Sequence, residues 1–211
     1  MSENQKENII RVAREKIGVA GLRSVSIDDI CRELGMSKKT FYVYFKTKDE
    51  LLDALLRLHE ASIQESIAAK TKGKSLLTIV TNYQSLLRNI NDVRQVPVVL
   101  YDLKKYYPQQ LTAHLQRLRL INQEITARFL HQGIEEGLIR EHLDVDATAR
   151  VLASMHQIMI GKLSEAQNHP TILSDTKLAM DIFFRGLLSD AGLEQVKTAM
   201  AKNSKTDNRN K

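Results

Sequence analysis

The sequence predicts an all-α protein, and two features lead to that fold class. Glycine and proline are scarce, with 9 and 3 copies in 211 residues, whereas a β-rich chain of this length needs many more turn residues. Apolar residues also recur at helical spacing along nearly the whole chain. With 43% hydrophobic and 27% charged residues, the chain can bury the core of a globular fold.

Three short helices are predicted before residue 47. The first carries its apolar residues on one face and ends before Gly21, which is a favourable residue just beyond a helix. The second begins at Ser26 and ends at Gly35. Ser37 then caps a third helix that runs through Phe45. Three short helices before longer ones indicate a small module attached to a larger bundle.

Six further helices are expected after this module. Their predicted ranges are 47–70, 75–91, 97–106, 108–136, 144–169 and 174–188. The last residues are polar and basic, so we expect them to form a partly disordered tail. The predicted domains are therefore 1–50 for the N-terminal module, 51–190 for the larger helical domain and 191–211 for the tail.

The segment from Ser26 to Lys48 has the helix-turn-helix pattern, with two short capped helices separated by a turn at Gly35. In proteins that use this pattern on DNA, the second helix enters the major groove. From residue 37 to 48 there are four lysines and no acidic residue, and hydroxyl-bearing side chains lie between them. Phe41 and Phe45 lie four residues apart, so they share one face and should be buried.

This pattern also has a simpler interpretation. Helix-turn-helix geometry occurs in proteins that bind no DNA, and a lysine-rich helix can be an ordinary solvated surface. The net charge of +6 does not decide between DNA binding and an ordinary solvated surface. A basic balance suits nucleic acid or an anionic membrane surface, but basic proteins that touch neither are common.

Residues 9–52 resemble the DNA-binding domain of the tetracycline-repressor (TetR) family. The resemblance rests on an ordered motif, Gly-Met-Ser-x-x-Thr-Phe-Tyr-x-Tyr-Phe-x-x-Lys-x-Glu-Leu, from Gly35 to Leu51. It implies an N-terminal three-helix helix-turn-helix domain followed by a larger helical ligand-binding and dimerisation domain. The predicted DNA-binding residues are Ser26, Ser37, Lys38, Lys39, Thr40, Tyr42, Tyr44 and Lys48.

Roles for these side chains also follow from the resemblance. It implies phosphate contacts for Thr40, Tyr42, Tyr44 and Lys48. Lys38 and Lys39 would face base edges, and Lys39 stands where the family often has glycine. A lysine there can reach guanine O6 and N7 or a phosphate, so the operator sequence does not follow from relatives. Cys31 replaces a frequent alanine on the inward face, where a small buried hydrophobe is expected rather than a redox sensor.

The C-terminal region resembles the family in architecture, with local similarity at 102–108 and 183–188. Its last two helices are apolar on more faces than one contact inside a monomer needs, which is typical of a four-helix dimer interface. A fully internal helix pair would show the same pattern. The predicted interface residues are Val151, Met155, Ile158, Met159, Met180, Phe183, Phe184 and Leu187.

A ligand pocket is expected among helices four to seven. The polar-tipped residues near it are Tyr83, Tyr101, Tyr106, Tyr107 and His114, and each could instead be a core or surface residue.

Catalysis finds little support in the sequence. There is no glycine-rich phosphate loop, and the 6 histidines form no local metal-ligand pair, so we expect no enzyme, no cofactor and no metal. The single cysteine excludes an internal disulfide. The N-terminus lacks the apolar stretch of a signal peptide, and no segment approaches the ~18 apolar residues of a membrane helix. A cytoplasmic protein without membrane attachment is the resulting expectation.

The sequence thus predicts a ligand-responsive transcriptional regulator, specifically a repressor, that binds a palindromic operator as a homodimer through the helix Ser37–Phe45. Its expected partners are double-stranded operator DNA, a second copy of the chain and a small-molecule effector. The alternative is an all-helical small-molecule-binding protein or enzyme without DNA affinity. A pure protein-interaction bundle is a third interpretation, but it leaves the lysine- and tyrosine-rich helix unexplained.

Overall fold

A computed structural model describes residues 2–81, 96–163 and 172–207. Within these ranges the chain is helical and forms no β-strand, apart from an isolated antiparallel bridge between Ile139 and Leu188. The predicted all-α fold class is therefore confirmed. The helices are α1 Ser2–Ala20, α2 Ile27–Glu33, α3 Lys38–Tyr44, α4 Lys48–Thr71, α5 Leu76–Thr81, α6 Val96–Tyr106, α7 Pro108–Glu135, α8 Val145–Leu163, α9 Ile172–Leu187 and α10 Asp190–Asp207.

Local side-chain chemistry sets the ends of the short N-terminal helices. The Ser26 hydroxyl accepts the backbone N–H of Asp29 at 3.2 Å, and the Asp29 carboxylate accepts the N–H of Ser26 at 3.0 Å. This reciprocal capping box satisfies two donors that the first turn of α2 would otherwise leave unpaired. At the other end, Gly35 has a φ of +60°, which glycine adopts without steric cost in the turn before α3.

The first compact unit comprises Met1–Glu65 and Asp92–Leu118. One of its two hydrophobic clusters joins α1, α2, α3 and the start of α4, and Ile9, Ala13 and Phe41 are fully buried there. The other cluster packs α4 and α6 around Leu22, Leu52, Leu56 and Leu103. The helix-turn-helix thus packs on α1 and α4, and α4 in turn packs on α6 from a separate stretch of the chain.

The second compact unit comprises Ser66–Asn91 and Arg119–Lys211. Its core contains Leu76, Leu130, Leu138, Ile139, Ala149, Leu188 and Val196. The loop after α7 pairs with the end of α9, because Arg140 N–H donates to Leu187 O at 3.1 Å and Ser189 N–H donates to Leu138 O at 3.0 Å. These bonds connect segments about fifty residues apart in sequence.

The described residues correct the prediction of a disordered tail after residue 190. Residues Asp190–Asp207 form α10, which buries Val196 at 6% exposure. Its first turn passes so close to the loop after α7 that a Cβ on Gly192 would lie 2.0 Å from the carbonyl oxygen of Leu138. Apolar residues near the start of this stretch, Leu193 among them, pack against the core of the second unit. The prediction missed them because it was based on the many charged residues of the tail. Residues 208–211 lie outside the described ranges.

Other helix boundaries differ less from the prediction. The ninth helix already includes Ile172 and Leu173, upstream of the expected start at residue 174. The expected ends of the fifth and eighth helices, 82–91 and 164–169, fall outside the described residues. The division into domains 1–50 and 51–190 separates expected functions, and it stays a prediction. For 191–211, the structure replaces the expected disordered tail by α10 up to residue 207.

Candidate nucleic-acid interface

The recognition helix α3 is attached to the rest of its unit by two aromatic side chains. Phe41 is 0% exposed and Phe45 is 3% exposed, and their ring centroids lie 5.9 Å apart. Ser37 caps the helix by accepting the N–H of Thr40 at 3.1 Å. The predicted burial of the two phenylalanines is confirmed, and it leaves the opposite face of α3 to solvent.

The exposed face of α3 is basic, and it carries no acidic residue. Lys39, Thr40 and Tyr42 are exposed, as the sequence predicted. Lys38 is also exposed, but its ammonium pairs with Asp28 of α2 at 2.8 Å, which raises the pKa of Lys38. Lys39 has no polar partner among the described residues, so it is the recognition-helix cation that is available to an outside acceptor.

Two residues predicted to contact phosphates, Tyr44 and Lys48, also contact other parts of the protein. Tyr44 is partly buried against the core of the first unit. The Lys48 ammonium donates to the carbonyl oxygen of Leu22 at 2.9 Å, in the loop after α1. Burial lowers the pKa of Lys48, while Asp102 and Asp49 act in the opposite direction. Both side chains were predicted to point outward, because the sequence does not show which distant residues they contact.

The serine and threonine hydroxyls that were predicted to contact DNA differ in whether they can still donate a hydrogen bond. The Ser26 hydroxyl donates its proton to Asp29 at 2.5 Å, so it cannot donate that proton to a phosphate in this arrangement. Ser37 and Thr40 share one hydroxyl–hydroxyl hydrogen bond at 2.9 Å. Because that bond uses a single proton, the other hydroxyl can still donate. The α3 N-terminus therefore retains a hydroxyl donor beside Lys39.

The predicted pocket residues that the structure describes have different surroundings, and whether they line a pocket stays a prediction. Tyr101 and Tyr106 are 59% and 39% exposed, and Lys105 lies over both rings at 5.5 and 5.3 Å. Tyr107 is partly buried near Leu103, and burial raises its pKa. His114 is buried at 5% exposure and binds a carboxylate, as described below. Tyr83 lies outside the described residues.

A buried charged cluster surrounds His114 and joins α4 to α7 in the first unit. His114 Nδ1 lies 2.6 Å from Glu60 Oε1, and Arg117 Nε donates to both Glu60 oxygens at 2.9 Å. Arg117 also reaches Asp53 at 3.0 Å. Burial lowers the pKa of His114 although Glu60 opposes it. Sequence reasoning missed Glu60, whose position on the inner face of α4 was the available signal.

A groove in the second unit lies between the last turns of α4 and the middle of α7. Its volume is about 190 Å³. It is lined by Ile67, Ala68, Thr71, Ile125, Arg128, Phe129 and Gln132. Thr71 and Gln132 already donate to backbone carbonyls, whereas Arg128 has no polar partner within the described ranges. The groove is thus mainly apolar with one available cation.

The predicted dimer residues differ in how exposed they are. Val151, Ile158 and Phe183 are exposed, and Met155 is partly buried. Phe184 and Leu187 are partly buried and pack against the core of the second unit, and their place in a dimer interface stays a prediction. The side chains of Met159 and Met180 lie outside those described. Leu178 and Ile182, each 60% exposed on α9, extend the outer apolar set and were not predicted.

The described residues hold no group of three or more His, Cys, Asp or Glu side chains arranged to bind a metal ion. Cys31 is buried at 5% exposure, as expected for a small core residue. None of the helices in the described ranges combines the length and the hydropathy that crossing a bilayer requires.

A capped helix-turn-helix that presents an acid-free basic helix is typical of DNA-binding regulators of the helix-turn-helix class. Residues 9–55 match the family model described as "Bacterial regulatory proteins, tetR family". The helix-turn-helix region of the chain thus matches the DNA-binding domain of this family, and the comparisons support a DNA-binding transcriptional regulator of the TetR family.

Similar proteins cover most of the chain. The HTH-type transcriptional repressor KstR2 of Rhodococcus jostii is 22% identical over 156 residues, covering 70% of this chain and 74% of the relative. The fatty acid metabolism regulator protein of Bacillus subtilis is 28% identical over 151 residues, covering 65% of this chain and 72% of the relative. Both are named as regulators.

Solved structures show the same fold. The regulatory protein TetR from Rhodobacter sphaeroides has a TM-score of 0.60 at 17% identity, covering 86% of this chain and 97% of that one. The fatty acid degradation regulator FadR from Bacillus halodurans has a TM-score of 0.61 at 14% identity, covering 86% and 95%.

Proposed function

We propose that this protein is a homodimeric repressor that binds a two-fold symmetric operator and leaves it when a small molecule binds. The observation that carries the DNA-binding part is α3, whose buried Phe41 and Phe45 direct Lys39 outward on a helix without acidic residues. The name of the KstR2 relative supports repression rather than activation. The protein acts by binding, and its regulator relatives support that assignment.

Dimerisation is supported by the apolar residues that α8 and α9 leave exposed. Ile158 and Ile182 are 61% and 60% exposed, on two helices of the same unit. A monomer that exposed several such side chains on neighbouring helices would carry a large apolar patch, which is typical of an interface. Two helices from each copy would then form a four-helix contact.

The effector that we propose is a fatty acid. The groove beside Ile67 and Phe129 offers apolar walls for a chain and Arg128 for a carboxylate. The Bacillus subtilis relative is named for fatty acid metabolism, which supports this class. The groove volume of about 190 Å³ is below the roughly 300–1,000 Å³ of pockets for drug-sized ligands, so it suits a short chain or must widen.

Release from DNA would follow from a difference in effector affinity between two conformations. A dimer binds two half-sites that lie about 34–36 Å apart, one turn of the double helix. An effector that favours another spacing of the recognition helices therefore weakens binding. We propose that α4 transmits this change, since it follows the helix-turn-helix directly and also lines the groove.

The first experiment is capture of genomic DNA fragments on the full-length protein, followed by binding isotherms across a salt series. We expect nanomolar-range binding to a two-fold symmetric site, and a preference over scrambled DNA of about 10³-fold or more. Lys39→Ala should relax the preference at one position of each half-site. Lys72→Ala, an exposed lysine outside α3, is the matched control. Equal binding of selected and scrambled DNA would contradict the proposal.

The second experiment tests the effector with a series of straight-chain fatty acids and the fatty alcohols of equal length. The acids should release the operator and the alcohols should not, because only a carboxylate can pair with Arg128. Arg128→Gln should abolish release while operator affinity without effector stays unchanged. Release by acids and alcohols alike would show that the carboxylate is not recognised.

A further inference from the structure

Val43 is the most exposed apolar side chain of α3, at 75% exposure. Single exposed apolar residues are common on protein surfaces and need no explanation by themselves. Val43 differs because it lies on the helix that this fold presents to the major groove, four residues after Lys39. Residues four apart share one face of an α-helix, so the two side chains project together.

Several other side chains of α3 also contact the protein. Lys38 pairs with Asp28, Thr40 bonds to Ser37, and Tyr44 packs against the core. Tyr42 contacts the edge of Phe41, with ring centroids 5.6 Å apart. Lys39 and Val43 are thus an exposed pair on one face of α3 that can meet an outside partner without first breaking a described contact.

The chemistry of the pair matches two groups of the major groove. A lysine ammonium donates to guanine O6 and N7, and the groove has one apolar feature, the C5 methyl group of thymine. An α-helix rises ~1.5 Å per residue, so Lys39 and Val43 lie about 6 Å apart along its axis. That distance is close to two steps of about 3.4 Å between stacked bases on one strand.

We propose that Val43 is a specificity-determining residue that contacts the methyl group of one thymine in each operator half-site. The guanine contacted by Lys39 lies about two base pairs away. This inference rests on the DNA-binding function proposed above. It extends that function by assigning a base to a residue that offers no hydrogen bond.

The test replaces each thymine of the selected operator in turn with deoxyuridine, which removes only the C5 methyl group. Full-length wild type and Val43→Ala are titrated against each DNA. At one thymine per half-site, deoxyuridine should weaken wild-type binding about fourfold, the factor that corresponds to burial of one methyl-sized group. Val43→Ala should bind the two DNAs equally well. Replacing the same thymine by cytosine and then by 5-methylcytosine should lower and partly restore wild-type affinity.

Val19→Ala is the matched control, because Val19 is 91% exposed on α1. It should keep the wild-type response to deoxyuridine, and thermal melts should show both variants folded. Wild type that is insensitive at every thymine, or Val43→Ala that keeps the full sensitivity, would overturn the assignment while leaving operator binding intact. A protein that prefers no DNA sequence would overturn the proposed function as well.

Discussion

At the scale of single residues, Lys48 has a contact that the sequence did not show. Its ammonium donates to the Leu22 carbonyl at 2.9 Å and is partly buried, while its predicted phosphate contact stays a prediction. A hydrogen bond of this kind holds the loop after α1 against the first turn of α4. Lys48 therefore contributes to the stability of the helix-turn-helix whether or not it also contacts DNA.

Lys48→Met should lower the free energy of unfolding by about 1 kcal/mol, because the Leu22 carbonyl loses a charged donor at a partly exposed site. Urea denaturation of the full-length protein measures this loss. Lys46→Met, an exposed neighbour, provides the comparison and should leave stability unchanged. If Lys48→Met were as stable as wild type but weakened binding to all DNA sequences, Lys48 would be a phosphate contact instead.

His156 gives a prediction about pH. Burial lowers the pKa of His156, and Asn122 Nδ2 lies 3.1 Å from its Nδ1. Below about pH 6.5, the ordinary histidine pKa, the unfolded chain binds a proton that the folded chain resists. Stability should therefore be complete above pH 6.5 and decrease as the pH falls below it. His59 and His114, whose pKa values burial also lowers, contribute in the same direction.

His156→Gln should lose less stability than wild type between pH 7.5 and 5.5, as measured by urea denaturation at each pH. The exposed His131 offers the matched replacement, His131→Gln, which should keep the wild-type slope. An unchanged slope in His156→Gln would mean that this imidazole does not carry the pH dependence.

At the scale of elements, the buried Glu60 cluster ties α4 to α7. Removing the carboxylate would leave the Arg117 guanidinium and His114 without their shared acceptor. Glu60→Ala should destabilise the protein by roughly 3–5 kcal/mol, the usual cost of breaking a buried charge pair on one side. Thermal melts measure the effect, with Glu65→Ala on the exposed side of α4 as the control. A loss below 1 kcal/mol would show that solvent replaces the carboxylate.

The start of α10 gives a second test at this scale. Gly192→Ala would place a Cβ against the Leu138 carbonyl, so α10 must shift, at a cost of about 1–3 kcal/mol. Gly186→Ala in α9 is the matched control, because nothing lies within 4 Å of the point that its methyl group would occupy, and alanine favours the helix. Denaturation curves should show Gly192→Ala to be less stable than wild type and Gly186→Ala to be more stable. Equal stability of Gly192→Ala and wild type would mean that α10 is not packed there.

At the scale of the whole molecule, assembly is the property to test. Ile182→Glu, and separately Ile158→Glu, should weaken the dimer by placing a charge in an apolar interface, while each monomer stays folded. Sedimentation velocity at several concentrations measures the association. Leu120→Glu, at a site 58% exposed on α7, is the control for an added surface charge. Phe184→Glu should instead unfold the second unit, since Phe184 packs against its core.

If the Ile158 and Ile182 variants sediment as wild type does, α8 and α9 do not form the interface. A change in the Leu120 variant alone would place the contact on α7.

Much of this protein could be predicted from local sequence. Caps at Ser26 and Ser37, a positive φ at Gly35 and the spacing of Phe41 and Phe45 are short-range features, and each appears in the structure. They depend on residues no more than about four positions apart, where backbone geometry alone decides which side chains meet. The fold class and the family followed from that information.

Short-range sequence patterns therefore predicted the helices before α10, the buried face of α3 and the basic character of its outer face. Long-range packing explains why Lys48 bonds to Leu22, why Glu60 binds His114 and Arg117, and why Phe184 packs against the core of the second unit. These outcomes depend on contacts between residues far apart in the chain, and helical periodicity says which side chains share a face but not what that face meets. Partners for buried polar groups are chosen by packing, because each must find an acceptor or donor where the helices bring one.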